Sequence, residues 1–179
     1  MAKKIKILGI HGVGQHDGEG RWMEPWEDAI ARAFGNLAAD FELESAAVSY
    51  DDLFDAEDIT VLGTLEAVGK LAGSGIWHGI GDLFEPLSRG RTAKRSIPEL
   101  VRWTAGMVVQ WVENEKIRAA TRKRVAEAIA DFKPDVICAH SLGSLVAYDT
   151  FVHPDFRDAA KGRTFVSLGS QIGNAFVRS

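Results

Sequence analysis

A chain of 179 residues, 46 % hydrophobic and 26 % charged, is long enough to bury one core and has the ordinary balance of a globular domain. A formal net charge of −4 argues against a nucleic-acid surface, and a single cysteine excludes an intrachain disulfide and a cysteine-rich metal centre. No uncharged apolar stretch approaches the length of a membrane span, and MAKKIKILGI has too short an apolar part for an export signal, so a cytoplasmic location is expected.

Residues 4–10, KIKILGI, read as a short buried strand, and the four glycines of HGVGQHDGEGR make residues 11–21 a loop. From Trp22 to about Ala39 the apolar residues Trp22, Trp26, Ala29, Ile30, Ala33, Phe34 and Leu37 recur at three and four. This predicts an amphipathic helix with Pro25 in its first turn. Residues 41–50 begin with alternating apolar and polar positions and read as a second strand ending before Asp51 and Asp52. Residues 51–96 mix apolar residues with glycines and serines and carry no clear period. They form an insertion, and the cluster Arg89, Arg91, Lys94 and Arg95 within it reads as a solvated loop.

Residues 97–131 predict a long helical stretch broken near Asn114, and Pro134 prevents its continuation. A strand (135–140), a helix (142–152) and a further strand (164–169) follow, and Cys138 within the first of these reads as a buried, inert thiol. This alternation predicts an α/β protein: a parallel sheet with helices on both faces, in one domain over residues 1–179.

The stretch DVICAHSLGSLVAY carries the strongest chemical signal. A serine between a strand and a helix, with small residues two before and two after it, fits a turn that lifts Ser141 to the carboxyl end of the sheet. Ala139 and Gly143 meet the demand for small neighbours. The helix beginning at Leu142 aims its first N–H groups at the same point, so Leu142 N–H is a candidate oxyanion donor. GIHGVG, at the end of the first strand, is placed to supply the second donor from Val13. Gly12 and Gly14 there allow a close backbone approach. The bland alternative is that Ser141 merely caps the helix that follows.

The motifs His11-Gly12-Val13-Gly14 and Ala139-His140-Ser141-Leu142-Gly143 resemble those of the α/β-hydrolase fold on its lipase and esterase side. TFVSLGSQIG is similar to the strand and turn that follow the serine helix there, with Gln171 in place of a proline. The resemblance spans roughly residues 4–50 and 117–173. It implies strand order 2-1-3-4, a serine nucleophile acting on a small-molecule or lipid ester, no cofactor or metal, and a lid or cap at about 51–96. His11, Gly12, Gly14, His140 and Gly143 then support the loop or contact the substrate.

The family places its acid and histidine after the serine, in that order. The 38 residues that follow Ser141 contain Asp149, His153, Asp155 and Asp158. His153 lies about 16 Å along the serine helix at about 1.5 Å per residue, far beyond hydrogen-bond reach, and Asp149 and Asp155 fail for the same reason. His140 points to the far side of the turn. His16, Asp17 and Asp51 are the remaining candidates for base and acid at the carboxyl edge, and His78 qualifies only if the insertion folds over the site.

Three readings stay open: a chain lacking the C-terminal part of a longer hydrolase, a catalytically incomplete binding or interaction domain, and a site completed by self-association or another chain. A dinucleotide site on GIHGVGQHDG is disfavoured, because Asp17 stands where the last glycine of that pattern belongs.

Overall fold

The computed structural model describes residues 3–13, 20–35, 40–55 and 106–170. Most of the expected insertion, including the basic cluster and His78, lies outside these residues, as do Gly14, His16, Asp17 and the chain beyond Ser170.

Four strands, β1 (Lys3–Ile10), β2 (Phe41–Val48), β3 (Val136–His140) and β4 (Thr164–Leu168), form one all-parallel sheet in the order β2-β1-β3-β4. The expected α/β class and strand order hold. Ile10 pairs with both Val48 and Ala139, so three strands end level with one another. The residues that follow them, His11, Ser49 to Asp51 and Ser141, therefore gather at one edge of the sheet.

Alternation along the strands sends side chains to two layers. Leu8, Ile10, Val48, Ile137 and Ala139 enter the larger core cluster, while Ile7 and Cys138 face the other side with Met23, Trp22, Trp26 and Ile30. Helices cover both faces accordingly. On the smaller side lies α1 (Glu24–Phe34), preceded by the 3-10 turn Arg21–Met23. On the larger side lie α2 (residues 106–113), α3 (Glu115–Phe132) and α4 (Leu142–Val152). A further helical turn, Asp52–Asp55, follows β2.

The helix boundaries have local causes. Pro25 stands in the first turn of α1, and Gly35 ends the helix with φ 48°, earlier than the predicted Ala39. The break expected near Asn114 is real: this residue is extended, and its side chain accepts from the N–H groups of Lys116 (3.0 Å) and Ile117 (3.4 Å), capping α3. Ile117, Thr121, Val125 and Ile129 recur at four and form the buried face of α3. Lys133 closes it in the left-handed region, directly before Pro134. On β4, Val166 and Leu168 are 37 % and 43 % exposed, so the apolar layer thins toward that side of the described sheet. Among the described residues, no helix is long and apolar enough to cross a membrane.

Candidate active site

Ser141 occupies the sharp junction between β3 and α4. Its backbone has φ 51° and ψ −121°. The other described non-glycine residue with positive φ, Lys133, lies at φ 52° and ψ 61°, an ordinary helix-ending conformation. Ser141 instead holds a conformation that L-residues avoid, at a cost of roughly 1–3 kcal/mol. It makes no side-chain capping hydrogen bond to α4, which removes the reading of Ser141 as a simple helix cap. The turn is held from both sides: Ser141 N–H donates to the Leu168 carbonyl (2.9 Å), and Ser144 Oγ donates to the Ala139 carbonyl (2.9 Å).

The residues flanking Ser141 are small because the backbone has no room for more. A Cβ on Gly143 would lie 2.2 Å from the His11 carbonyl oxygen and 2.6 Å from that of Ile10. The first turn of α4 thus rests on the end of β1. A Cβ on Gly12 would lie 2.9 Å from Ser141 Cβ and 3.0 Å from His140 Nδ1. The glycine loop and the serine turn, separated by 129 residues in the chain, are therefore in van der Waals contact, as the two motifs together predict. Val13 is half-buried against the larger core cluster, and Leu142, at the start of α4, is buried.

His11 is 1 % exposed and is held by polar partners on its ring. Its Nδ1 lies 2.6 Å from the Gly12 carbonyl oxygen, and its Nε2 accepts from Tyr50 N–H at 3.4 Å. This assigns the proton to Nδ1, which donates to Gly12. Asp51 Oδ1 stands 3.5 Å from Nε2, and the Tyr50 ring stacks on the imidazole at 4.2 Å. The sequence pattern points to a supporting place for His11 in the loop, and its ring lies within hydrogen-bond distance of the Gly12 carbonyl.

Asp51, a candidate acid from the sequence, is 7 % exposed and beside His11. His140 lies edge-on to Trp26 with ring centroids 6.2 Å apart. Its Nε2 would be 3.4 Å from a Cβ on Gly169, so its ring fills the space between the first loop and the end of β4. The candidates Gly14, His16 and Asp17 lie outside the described residues.

The residues rejected as partners of the serine are occupied elsewhere. Asp149 accepts from Arg118 and Arg122, each at 2.8 Å. His153 caps the far end of α4, where its Nδ1 accepts from Asp155 N–H at 3.3 Å. Cys138 is buried, and burial pushes its thiol pKa up, as expected of an inert thiol. Among the described residues, no group of three or more His, Cys, Asp or Glu is arranged to hold a metal ion.

The sequence reading missed Tyr50, Trp22 and Trp26 as members of this edge. Aromatic contacts run from Tyr50 to His11, from His11 to Trp22 (5.4 Å), from Trp22 to Trp26 (5.5 Å) and on to His140. Only the helical spacing of the two tryptophans was legible, and that spacing signals packing rather than chemistry. Comparison of the chain with protein-family models, with curated proteins and with solved structures returned no match, so the site is defined by its own geometry.

Proposed function

We propose that the chain is a serine hydrolase of the lipase and esterase type, built on an α/β-hydrolase-like core. The observation that carries this reading is the strained backbone of Ser141 at a strand-to-helix junction, without a capping bond. A serine that only had to start a helix would rest in an extended conformation, and its side-chain oxygen would accept from the free N–H groups of the first turn. The contact between Gly12 and the serine turn supports the same reading, because a second backbone segment comes up against the Ser141 side chain.

In the proposed reaction, Ser141 Oγ attacks the carbonyl carbon of an ester while its proton passes to a base. The developing oxyanion is met by the N–H groups of Leu142 and Val13, each worth roughly 10² to 10³ in rate. Collapse of the tetrahedral intermediate expels the alcohol, and water then releases the acid from the acylated serine. The substrate is a small-molecule or lipid ester. His16 with Asp17 remains the sequence candidate for the proton relay, and Asp51 is the candidate acid that lies beside His11.

A second reading, a binding domain that keeps the serine turn without turnover, is favoured by one observation. The acid and the histidine that follow Ser141 within α4 and at its end, Asp149 and His153, are committed to other contacts. A fluorophosphonate probe separates the two readings. The hydroxyl displaces fluoride from phosphorus, and the serine proton leaves with it. Covalent labelling of the wild-type chain that is lost in Ser141→Ala is the expected result. A folded wild-type chain that stays unlabelled overturns the enzyme reading in favour of the binding domain.

A further inference from the structure

We propose that Tyr50, which belongs to neither the glycine loop nor the serine turn, is the positioning residue that aims the Val13 N–H at the oxyanion; this rests on the acyl-transfer reading above. The chain of contacts is short and fully buried. Tyr50 Oη donates to the His11 carbonyl at 2.5 Å, Tyr50 N–H donates to His11 Nε2, and the two rings stack. Tyr50 and His11 are 0 % and 1 % exposed.

The consequence follows from peptide geometry. In a planar trans peptide the N–H points opposite the C=O of the same unit. His11 Nδ1 holds the Gly12 carbonyl, which belongs to the same peptide unit as the Val13 N–H. Fixing that carbonyl therefore fixes where the Val13 N–H points. The imidazole can do this only in the tautomer with its proton on Nδ1, and the Tyr50 amide selects that tautomer by occupying Nε2 as a donor.

The phenol acts one peptide earlier. It grips the same His11 carbonyl that a Cβ on Gly143 would strike, so it sets the loop at the point where it rests on the serine helix. Burial, with the Asp51 carboxylate beside it, raises the phenol pKa well above its ordinary value, so it stays a donor throughout the neutral and mildly alkaline range.

The test divides fluorophosphonate labelling into its reversible binding constant and its maximal rate. Tyr50→Phe keeps the ring stack and removes only the hydroxyl. The expected result is a maximal rate lower by about tenfold or more, with the binding constant and the circular dichroism spectrum unchanged. An unchanged maximal rate on folded protein overturns the proposal, even if thermal stability falls.

A second measurement serves if the variant does not fold. The chain has two tyrosines, so incorporating 3,5-difluorotyrosine in a Tyr148→Phe background alters Tyr50 alone. Its phenol is the stronger acid and loses its proton at lower pH. The alkaline loss of labelling rate is expected to move to lower pH, whereas coincident profiles overturn the proposal. A wild-type chain that is never labelled ends the acyl-transfer reading itself and this proposal with it. A labelled wild type with an unaffected Tyr50→Phe ends this proposal alone.

Discussion

At position 141 the chain accepts strain that a different residue would relieve. Glycine reaches φ 51°, ψ −121° without a Cβ penalty, whereas alanine carries the same penalty as serine. Ser141→Gly is therefore expected to be more stable than Ser141→Ala, by about 1 kcal/mol, which corresponds to roughly 2–4 °C in thermal midpoint for a chain of this size. Differential scanning calorimetry of the two variants measures the difference, and equal midpoints would show that the turn is not strained. The opposite substitution belongs two residues on. A methyl group at Gly143 would sit 2.2 Å from the His11 carbonyl, and that contact is with backbone, which cannot rotate away.

Among the elements, α3 and α4 are tied together by charge as well as by apolar contact. Arg118 and Arg122 on α3 both reach Asp149 on α4, and Arg122 also reaches Glu115. Burial works against the charge on Arg122, but its hydrogen bonds to Glu115 and Asp149 outweigh that penalty and raise its pKa. Arg122 is 4 % exposed, so deleting Asp149 leaves a nearly buried cation with Glu115 as its remaining acidic partner. Asp149→Ala should cost about 3 kcal/mol, at the low end for such pairs because Glu115 remains. A urea titration is expected to show the midpoint falling at constant slope, and the fraction that stays folded should label at the wild-type rate. A loss of labelling in folded Asp149→Ala would give this carboxylate a role in the chemistry that its contacts do not suggest.

For the whole molecule, Asp52 contributes to the acid end of a pH window, and Tyr50, with the buried thiol of Cys138, to the alkaline end. Asp52 is held below the ordinary carboxylate range, chiefly by its hydrogen bond from Arg124. A lowered folded-state pKa contributes stability above the unfolded value of about 3.9, and this is lost as pH falls through the folded value. Tyr50 is shifted the other way by burial and by the Asp51 charge. Its contribution is complete below the unfolded value of about 10 and is lost as pH rises beyond it, because the unfolded chain then releases a proton the folded chain keeps. Stability plotted against pH should therefore fall on both sides of a plateau. Tyr50→Phe is expected to make the alkaline limb shallower above about pH 10, leaving the share due to Cys138, and to leave the acid limb in place. An alkaline limb of wild-type steepness in that variant would assign the fall to another group.

The sequence by itself determined the α/β alternation, the break at Asn114, the helix after Ser141 and the glycine loop after β1. These rest on local causes: apolar period, caps and the small residues a tight turn requires. Strand order came from resemblance rather than from any local pattern, and the end of α1 at Gly35 was read several residues late. The tertiary structure alone decided what surrounds the serine. Tyr50 meets His11 across 39 residues of chain, and Gly143 meets the same carbonyl from the other end of the sequence. No window of sequence carries such a contact, because parallel register, not chain neighbourhood, brings the ends of β1, β2 and β3 level at one edge.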